Sequence, residues 1–255
     1  MPTLAPPLGR PALALMAAAT LFGAALLAPG PAVAATTGSG KAITETRAAS
    51  GFQALLLRGA IGVVVRQGSS EGVHVRADDN VLPLVQTEVE GAGEVRTLRI
   101  QFKAGESVRT RTPVVVTVDV VNLSAVSSSG SGDIRIEVLK TPTLNMSISG
   151  SSDAQLRQLD ADHLSISIAG SGDVQASGRA AKLDVSIAGS GDVQTRELMA
   201  GDVVVSIAGS GDASVTAQKT ISVSIAGSGD VDYGGGAALV KRSIGGSGTV
   251  RQRQP

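Results

Sequence analysis

Six aspartates recur at nearly constant spacing through the second half of the chain, each as the last residue of a Gly-Ser-Gly-Asp turn or a close variant. They are Asp133, Asp153, Asp173, Asp192, Asp212 and Asp230, and Thr249 takes the same position in the last copy. Regularly spaced carboxylates are candidate ligands for a hard cation such as Ca²⁺. They are also good acceptors for backbone N–H groups of their own turn.

Magnitudes help to decide between these two roles. Two carboxylates ~5 Å apart in a water-like medium repel by roughly 0.8 kcal/mol, whereas a turn hydrogen bond contributes ~1 kcal/mol. An exposed column of aspartates can therefore exist without a metal ion. The sequence favours turn capping, leaves a binding role for the six aspartates as the alternative, and assigns no metal ligand.

A column of serines precedes the turns. Its members are Ser147, Ser167, Ser186, Ser206, Ser224 and Ser243. Because these serines alternate with aliphatic residues, they are expected to face away from the interior. A flat strip of hydroxyl groups is a candidate surface for a glycan or another sheet, but a solvated strand face requires the same alternation and is the favoured interpretation.

No catalytic constellation stands out. Residues 68–72 match the G-x-S-x-G pattern, but they join two predicted strands and lack the strand-to-helix elbow that this motif needs. His74 and His163 have no second histidine or cysteine at metal-ligand spacing. We predict no enzyme and no cofactor. A polysaccharide-active enzyme is the least favoured alternative, because such enzymes need paired acids.

The turns belong to a repeat of about 20 residues. SIAGSGDV occupies residues 167–174 and recurs at 186–193 and 224–231, with degenerate copies on either side. A period of this length that recurs seven times is typical of a solenoid. Within each unit apolar residues alternate with polar ones, which indicates strands and a parallel β-coil with one unit per turn of the solenoid.

Stacking of the units predicts an apolar interior. The column Ile148, Ile168, Ile187, Ile207, Ile225 and Ile244 is pure isoleucine. The neighbouring inward column ends at Arg242, where a charge is tolerable only if the last coil is open to water. Aromatic residues make up only 2% of the chain, which suits a narrow interior of stacked aliphatic side chains.

The first half of the chain reads as irregular strands. Short β-type runs lie at residues 52–57, 61–67, 73–77, 98–102 and 114–121. A polar loop is predicted at 103–112, and 80–89 is the one segment that can hold a helical turn. We interpret this half as early coils that also cap the open edge of the solenoid.

The first 34 residues resemble a secretory signal peptide, with an apolar run and an Ala-Val-Ala cleavage site ending at Ala34. The domain organisation predicted is therefore a signal peptide at 1–34, a linker at 35–49 and one β-helix domain at 50–253, with irregular coils at 50–121 and seven repeats at 122–253. After cleavage the chain has 21 basic and 22 acidic residues, which does not favour nucleic acid or an anionic membrane surface as a partner. No membrane span is expected beyond the signal peptide. The chain has no cysteine, so disulfides are excluded.

Several elements in order resemble the putative autotransporter adhesin, head GIN domain family. They are FQALLLRGAIGVVVRQG at 52–68, NVLPLVQTEVEG at 80–91, the GSGD turns and the closing SIGGSGTVR. The resemblance implies a right-handed parallel β-helix in exported bacterial proteins, without an established enzymatic activity.

Together these observations predict an exported β-helix, periplasmic or extracellular, that acts as a binding or adhesin-like module of the bacterial envelope. Its expected partner is an envelope protein or a glycan. The alternative from another class is a structural component that associates with copies of itself.

Overall fold

The computed structural model of the protein describes residues 35–91 and 95–254, and the predicted signal peptide at 1–34 lies outside the described residues. Within the described part the chain forms strands and one 3-10 helix, Leu82–Leu84. No described helix has the length and hydropathy needed to cross a membrane. The strands are β1 (Thr36–Thr37), β2 (Ala42–Arg47), β3 (Ala54–Gly59), β4 (Gly62–Gln67), β5 (Gly72–Asp78), β6 (Val85–Glu90), β7 (Thr97–Phe102), β8 (Val108–Arg109), β9 (Val115–Val120), β10 (Ala125–Gly130), β11 (Ile134–Gly150), β12 (Ala154–Gly170), β13 (Val174–Gly189), β14 (Val193–Gly209), β15 (Ala213–Gly227), β16 (Val231–Gly234), β17 (Ala238–Gly246) and β18 (Val250–Gln252).

The repeats form a parallel β-solenoid of about six turns, as the period predicts. Strands β11 to β15 are 15 to 17 residues long, and each pairs in parallel with the next. Equivalent residues stack directly, so that Ser167 pairs with Ser186 and then with Ser206. Each of these coils is one long strand, and from β12 to β15 the pairing shifts register within the coil, for example between Leu156 and Leu159 of β12.

The interior is the stack of aliphatic side chains that the alternation predicts. From Ile148 to Ile225 the isoleucines of the inward column are at most 2% exposed. Leu164, Leu183 and Val203 form a second inward column, also at most 1% exposed. Burial of these columns supplies the main favourable free energy of the fold, at roughly 25 cal/mol per Å² of apolar surface.

The corner that carries the Gly-Ser-Gly-Asp turn depends on glycine for its close packing. Gly209 has a φ of 141°, and a Cβ atom added there would lie 2.2 Å from the carbonyl oxygen of Gly189 in the preceding coil. Only a residue without a side chain permits this contact and this backbone conformation. The turns are therefore the points at which successive coils touch most closely.

The N-terminal strands cap the solenoid. One edge of the sheet continues from β10 through β3 and β7 to β6, and the other from β11 through β4, β9 and β5 to β2. Strands β5 and β6 run antiparallel to the coils that they cover. The helical turn predicted in 80–89 is the 3-10 helix, followed by β6. The predicted linker at 35–49 instead contributes β1 and β2, because the alternating ITETR segment pairs with β5.

The C-terminal end is left open. Within residues 35–91 and 95–254, strand β17 pairs with β15 and strand β18 pairs with β16, and neither has a second neighbour. Arg242 occupies the inward column opposite Val223 and is exposed, as the sequence predicted for an open last coil. The register shifts beside Lys241, and Val240 is 60% exposed there.

Candidate functional site

The aspartate column forms a ladder of hydrogen bonds between coils. From Asp153 to Asp230, one carboxylate oxygen of each aspartate accepts the backbone N–H of the equivalent residue in the next coil. The N···O distances are 3.0 Å from Asp173 to Asp153, 2.9 Å from Asp192 to Asp173, 2.9 Å from Asp212 to Asp192, 2.7 Å from Asp230 to Asp212 and 2.8 Å from Thr249 to Asp230. We call this row the Asp ladder.

The backbone closes each rung of the Asp ladder from the other side. The carbonyl oxygen of Asp192 accepts the N–H of Val174 at 2.8 Å, and that of Asp212 accepts the N–H of Val193 at 2.9 Å. The backbone N–H of Asp192 or Asp212 thus donates to the preceding coil, and the carbonyl oxygen of the same residue accepts an N–H from that coil. The sequence predicted hydrogen bonds within the same turn, whereas the donors lie one coil further along.

The ladder ends with a stronger contact. The hydroxyl and the amide of Thr249 both donate to Asp230 Oδ1 at 2.8 Å. These two hydrogen bonds, with the Arg251 guanidinium nearby, lower the pKa of Asp230 although partial burial opposes them. The last carboxylate is therefore held ionised at the open end of the solenoid.

The geometry gives no support to calcium between coils. In residues 35–91 and 95–254, no group of three histidine, aspartate or glutamate side chains is placed to hold a metal ion. From Asp153 to Asp230 one oxygen of each carboxylate is already engaged by an amide. What each carboxylate keeps is one oxygen that faces solvent and can accept a further hydrogen bond.

A row of polar side chains runs beside the Asp ladder, two residues further along each coil. Its members are Arg135, Gln155, Gln175, Gln194, Ser214 and Asp232. Stacking is direct, since Gln155 pairs with Gln175 and Gln175 with Gln194. We call the surface formed by this row and the Asp ladder the polar groove.

Three hollows follow the polar groove and share residues where they meet. The first has a volume of about 560 Å³ and includes Asp133, Gln155 and Gln175. The second, of about 360 Å³, extends from Gln155 to Arg196. The third, of about 480 Å³, extends from Asp192 to Arg251. At ~4.8 Å per coil, the aspartates of the groove span about 24 Å.

The first hollow lies where the polar loop meets the coils. Thr110 of that loop and Pro113 just after it line the hollow together with Asp133 and Arg135. The loop is anchored by Asp78, which is fully buried and accepts the amides of Arg111 and Thr112 at 3.0 and 3.2 Å. Burial raises the pKa of Asp78, but these bonds, with others from the Thr112 side chain and Gly40, outweigh it and lower the pKa overall.

The serine column faces solvent as predicted. Ser167, Ser186 and Ser206 are exposed, and next to them lies an exposed column of small residues, Ala169, Ala188 and Ala208. This face is flat and regular. The hollows lie instead on the polar groove, which makes the groove and not the serine face the better candidate site.

The two histidines are engaged in contacts between neighbouring strands. His163 Nε2 lies 2.8 Å from Asp184 Oδ2, which also accepts from Lys182 at 2.8 Å. His74 Nδ1 lies 3.0 Å from the Thr46 hydroxyl, and its Nε2 lies 3.5 Å from Asp119. These arrangements cross-link strands at the surface.

Sequence reasoning placed the aspartates in one row but did not single out the neighbouring row of glutamines or the buried Asp78 beneath the loop. The glutamine row was detectable, because a polar residue follows each aspartate at a spacing of two and must share its face. Asp78 was not, since nothing in a single aspartate at the end of a strand indicates that it will be buried beneath a loop.

The family model described as "Putative auto-transporter adhesin, head GIN domain" matches residues 51–237. No curated protein sequence matches the chain. Among solved structures, a putative adhesin from Bacteroides fragilis NCTC 9343 superimposes with a TM-score of 0.78 and 24% identity, covering 86% of this chain and 100% of its own.

Two structures from Parabacteroides distasonis ATCC 8503 are also similar. One, described as a putative lipid binding protein, has a TM-score of 0.71 and 25% identity over 87% of this chain and 100% of its own. The other, described as a putative adhesin, has a TM-score of 0.68 and 25% identity over 86% of this chain and 100% of its own.

Proposed function

The chain belongs to the family "Putative auto-transporter adhesin, head GIN domain", and from this premise we propose that it is a non-catalytic binding module that holds an extended macromolecule along the polar groove. The groove is the observation that carries the proposal. It offers carboxylate acceptors from the Asp ladder beside amide and guanidinium donors, repeated coil after coil in register. Over the three coils that carry Gln155, Gln175 and Gln194, a chain-like ligand can meet the same pair of aspartate and glutamine at each step.

The chemistry of the groove favours a polar ligand. Its second and third hollows are lined mainly by Gln, Arg, Asp and Ser side chains. An acyl chain would bury few apolar contacts there and would leave these groups without partners. The lipid-binding description of one structural neighbour is therefore not extended to this chain.

The place of action in this proposal is outside the cytoplasm, in the periplasm or beyond the cell. It is supported by the signal-peptide pattern of residues 1–34 and by the family's description. The expected partner is an envelope protein or a glycan.

A photo-crosslinking amino acid at Gln194 in the producing cells tests the groove. Gln194 lines both the second and the third hollow, and exposed Ser206 on the serine face serves as the matched control. We expect one recurrent heterologous species, identified by mass spectrometry, from Gln194 and not from Ser206. Capture from Ser206 alone would move the site to the serine face, and capture of the chain itself would favour a self-associating envelope component.

A further inference from the structure

One coil junction differs from all others along the Asp ladder. In the regular junctions, the glycine before each aspartate packs on the isoleucine of the preceding coil: a Cβ added at Gly172 or Gly191 would lie 3.1 or 3.0 Å from Ile148 or Ile168. In the exceptional junction serine replaces both partners. Ser152 stands where the glycine would be, and Ser128 stands in the isoleucine column opposite Ile148.

The two serines compensate for each other. Both are buried, and their hydroxyl groups form a hydrogen bond of 2.8 Å. The smaller Ser128 leaves room for the Cβ of Ser152, and the hydrogen bond satisfies two hydroxyl groups inside an apolar interior. The pair is therefore a matched local exception in a repeat that is otherwise uniform.

The exception coincides with an opening in the Asp ladder, by which we mean the junction between Asp133 and Asp153 where the ladder hydrogen bond is absent. A Cβ at this turn position lies 2.0 to 2.2 Å from a carbonyl oxygen of the preceding coil in the other junctions, Gly132 and Gly172 included. The backbone of the Ser152 turn must therefore be oriented differently, while the two coils stay paired: Gly130 accepts the N–H of Ser151 at 2.9 Å, and Asp153 accepts that of Ile134 at 2.7 Å. Among the described residues the ladder begins at Asp153, and no ladder bond joins its amide to the Asp133 carboxylate.

The first hollow lies at this opening. Asp133 contributes a carboxylate outside the Asp ladder, and Arg135, Gln155 and Gln175 contribute donors and acceptors beside it. Thr110, on the loop anchored by Asp78, also lines this hollow. A hollow of about 560 Å³ is within the usual range for a small-ligand site.

We propose that this opening is the specificity pocket of the polar groove and that it takes one ring of a glycan without anionic groups, an inference that rests on the proposed function. Adjacent hydroxyl groups of a sugar each donate and accept a hydrogen bond. A carboxylate that accepts beside a guanidinium and an amide that donate is complementary to such a pair, and its charge-assisted bonds are the stronger kind.

The local charge selects against other glycans. Asp133, Asp153 and Asp173 line the pocket with only Arg135 as a cation. This negative excess repels a uronate or another anionic sugar, which is how a site rejects a close analogue of its ligand. The single guanidinium of Arg135 does not offset this excess, so a ring that carries an ammonium group is not repelled.

The test applies the purified protein to an array of neutral, uronate-containing and amine-bearing oligosaccharides, followed by calorimetric titration with the best neutral probe. We expect neutral and amine-bearing glycans to bind, with anionic ones at least about tenfold weaker. Asp133→Asn and Arg135→Gln are each expected to weaken the neutral glycan about tenfold. Preference for an anionic probe, or no binding to any probe, would overturn the proposal.

The paired variant Ser128→Ile/Ser152→Gly separates the pocket from general stability. It rebuilds the regular junction, so we expect a higher melting temperature, slower hydrogen exchange at the Asp153 amide, and glycan affinity lower by about tenfold or more. A merely structural role for the serine pair predicts unchanged affinity. Ser206→Ala, on the exposed serine face outside the polar groove, is the control that should bind as the unaltered protein does.

The experiments can contradict the pocket inference and the groove proposal separately. If crosslinking from Gln194 captures a partner and the pocket variants leave that capture unchanged, the pocket inference is wrong and the groove stands. If Gln194 captures nothing while glycan binding depends on Asp133, the ligand occupies the pocket alone and the extended groove is wrong.

Discussion

The N-terminal cap and the repeat coils are held together by different kinds of interaction. In the coils from β11 to β15, backbone pairs with backbone in register, and glycines let successive turns touch. In the cap, single polar side chains connect elements that lie far apart in sequence. Arg47 donates to the carbonyl oxygens of Leu82 and Val85, and Asp78 accepts the amides of Arg111 and Thr112.

This difference shows where each region is vulnerable. A solenoid distributes its stability over nearest-neighbour contacts, so each coil contributes a similar amount and depends on backbone fit. The cap concentrates its stability in a few buried polar anchors, whose loss leaves partners unsatisfied. We therefore expect backbone substitutions to act strongly in the coils and side-chain substitutions to act strongly in the cap.

The largest effect is expected from Gly209→Ala in the coils. The new Cβ would meet the Gly189 carbonyl oxygen at 2.2 Å, and the φ of 141° is unfavourable for alanine. We expect a loss of about 3 kcal/mol in the free energy of unfolding, measured by denaturant titration. Gly68→Ala in the N-terminal region is the control, because nothing lies within 4 Å of its Cβ position. An equal loss at both positions would remove the contrast.

The repeat could be read from the sequence because its signal is periodic. Alternation placed Ile168 and Ile187 inside and Ser167 and Ser186 outside, and the structure confirms both. The cap was harder to predict, since antiparallel pairing of β2 with β5 depends on contacts between segments about 30 residues apart that no local pattern records. The Asp ladder was predicted as a row, but its donors in the next coil follow from the three-dimensional register.

The second prediction compares the two ends of the solenoid. The cap covers one end of the solenoid, and the edge strand β17 lies at the other. On β17, Arg242 faces inward and Lys241 faces outward. Charged side chains on an edge strand discourage edge-to-edge pairing with another molecule. We expect Lys241→Ser/Arg242→Val, which copies the Ser222 and Val223 pair of the preceding coil, to cause concentration-dependent association over the micromolar range. Light scattering after size exclusion measures it, with Lys219→Ser as the control. Association of the unaltered protein through this edge would contradict the protective role.

The third prediction tests the anchor of the cap by pH. Because the pKa of Asp78 is lowered in the folded protein, its contribution is present above the ordinary value of about 3.9 and is lost as pH falls through the lower folded value. The amide proton shifts of Arg111 and Thr112, followed by NMR, should therefore change with a midpoint below about 3.9. Asp78→Asn should abolish this titration. It should also speed hydrogen exchange at these two amides about tenfold, while the amides of β13 remain protected.

The smallest effect separates two aspartates of the same row. Asp212→Ala removes the acceptor that holds the Asp230 amide at 2.7 Å, a loss of ~1 kcal/mol that relief of carboxylate repulsion, roughly 0.8 kcal/mol, partly offsets. Asp133→Ala removes no ladder bond and should leave the free energy of unfolding equal to or slightly above that of the unaltered protein. Denaturant titration of both variants, with Asp212→Asn as the variant that keeps an acceptor, measures the difference. On this account Asp133 contributes to the pocket and not to stability. An equal loss of stability in both alanine variants would instead show that the ladder extends to Asp133 and that the opening on which the pocket depends is closed.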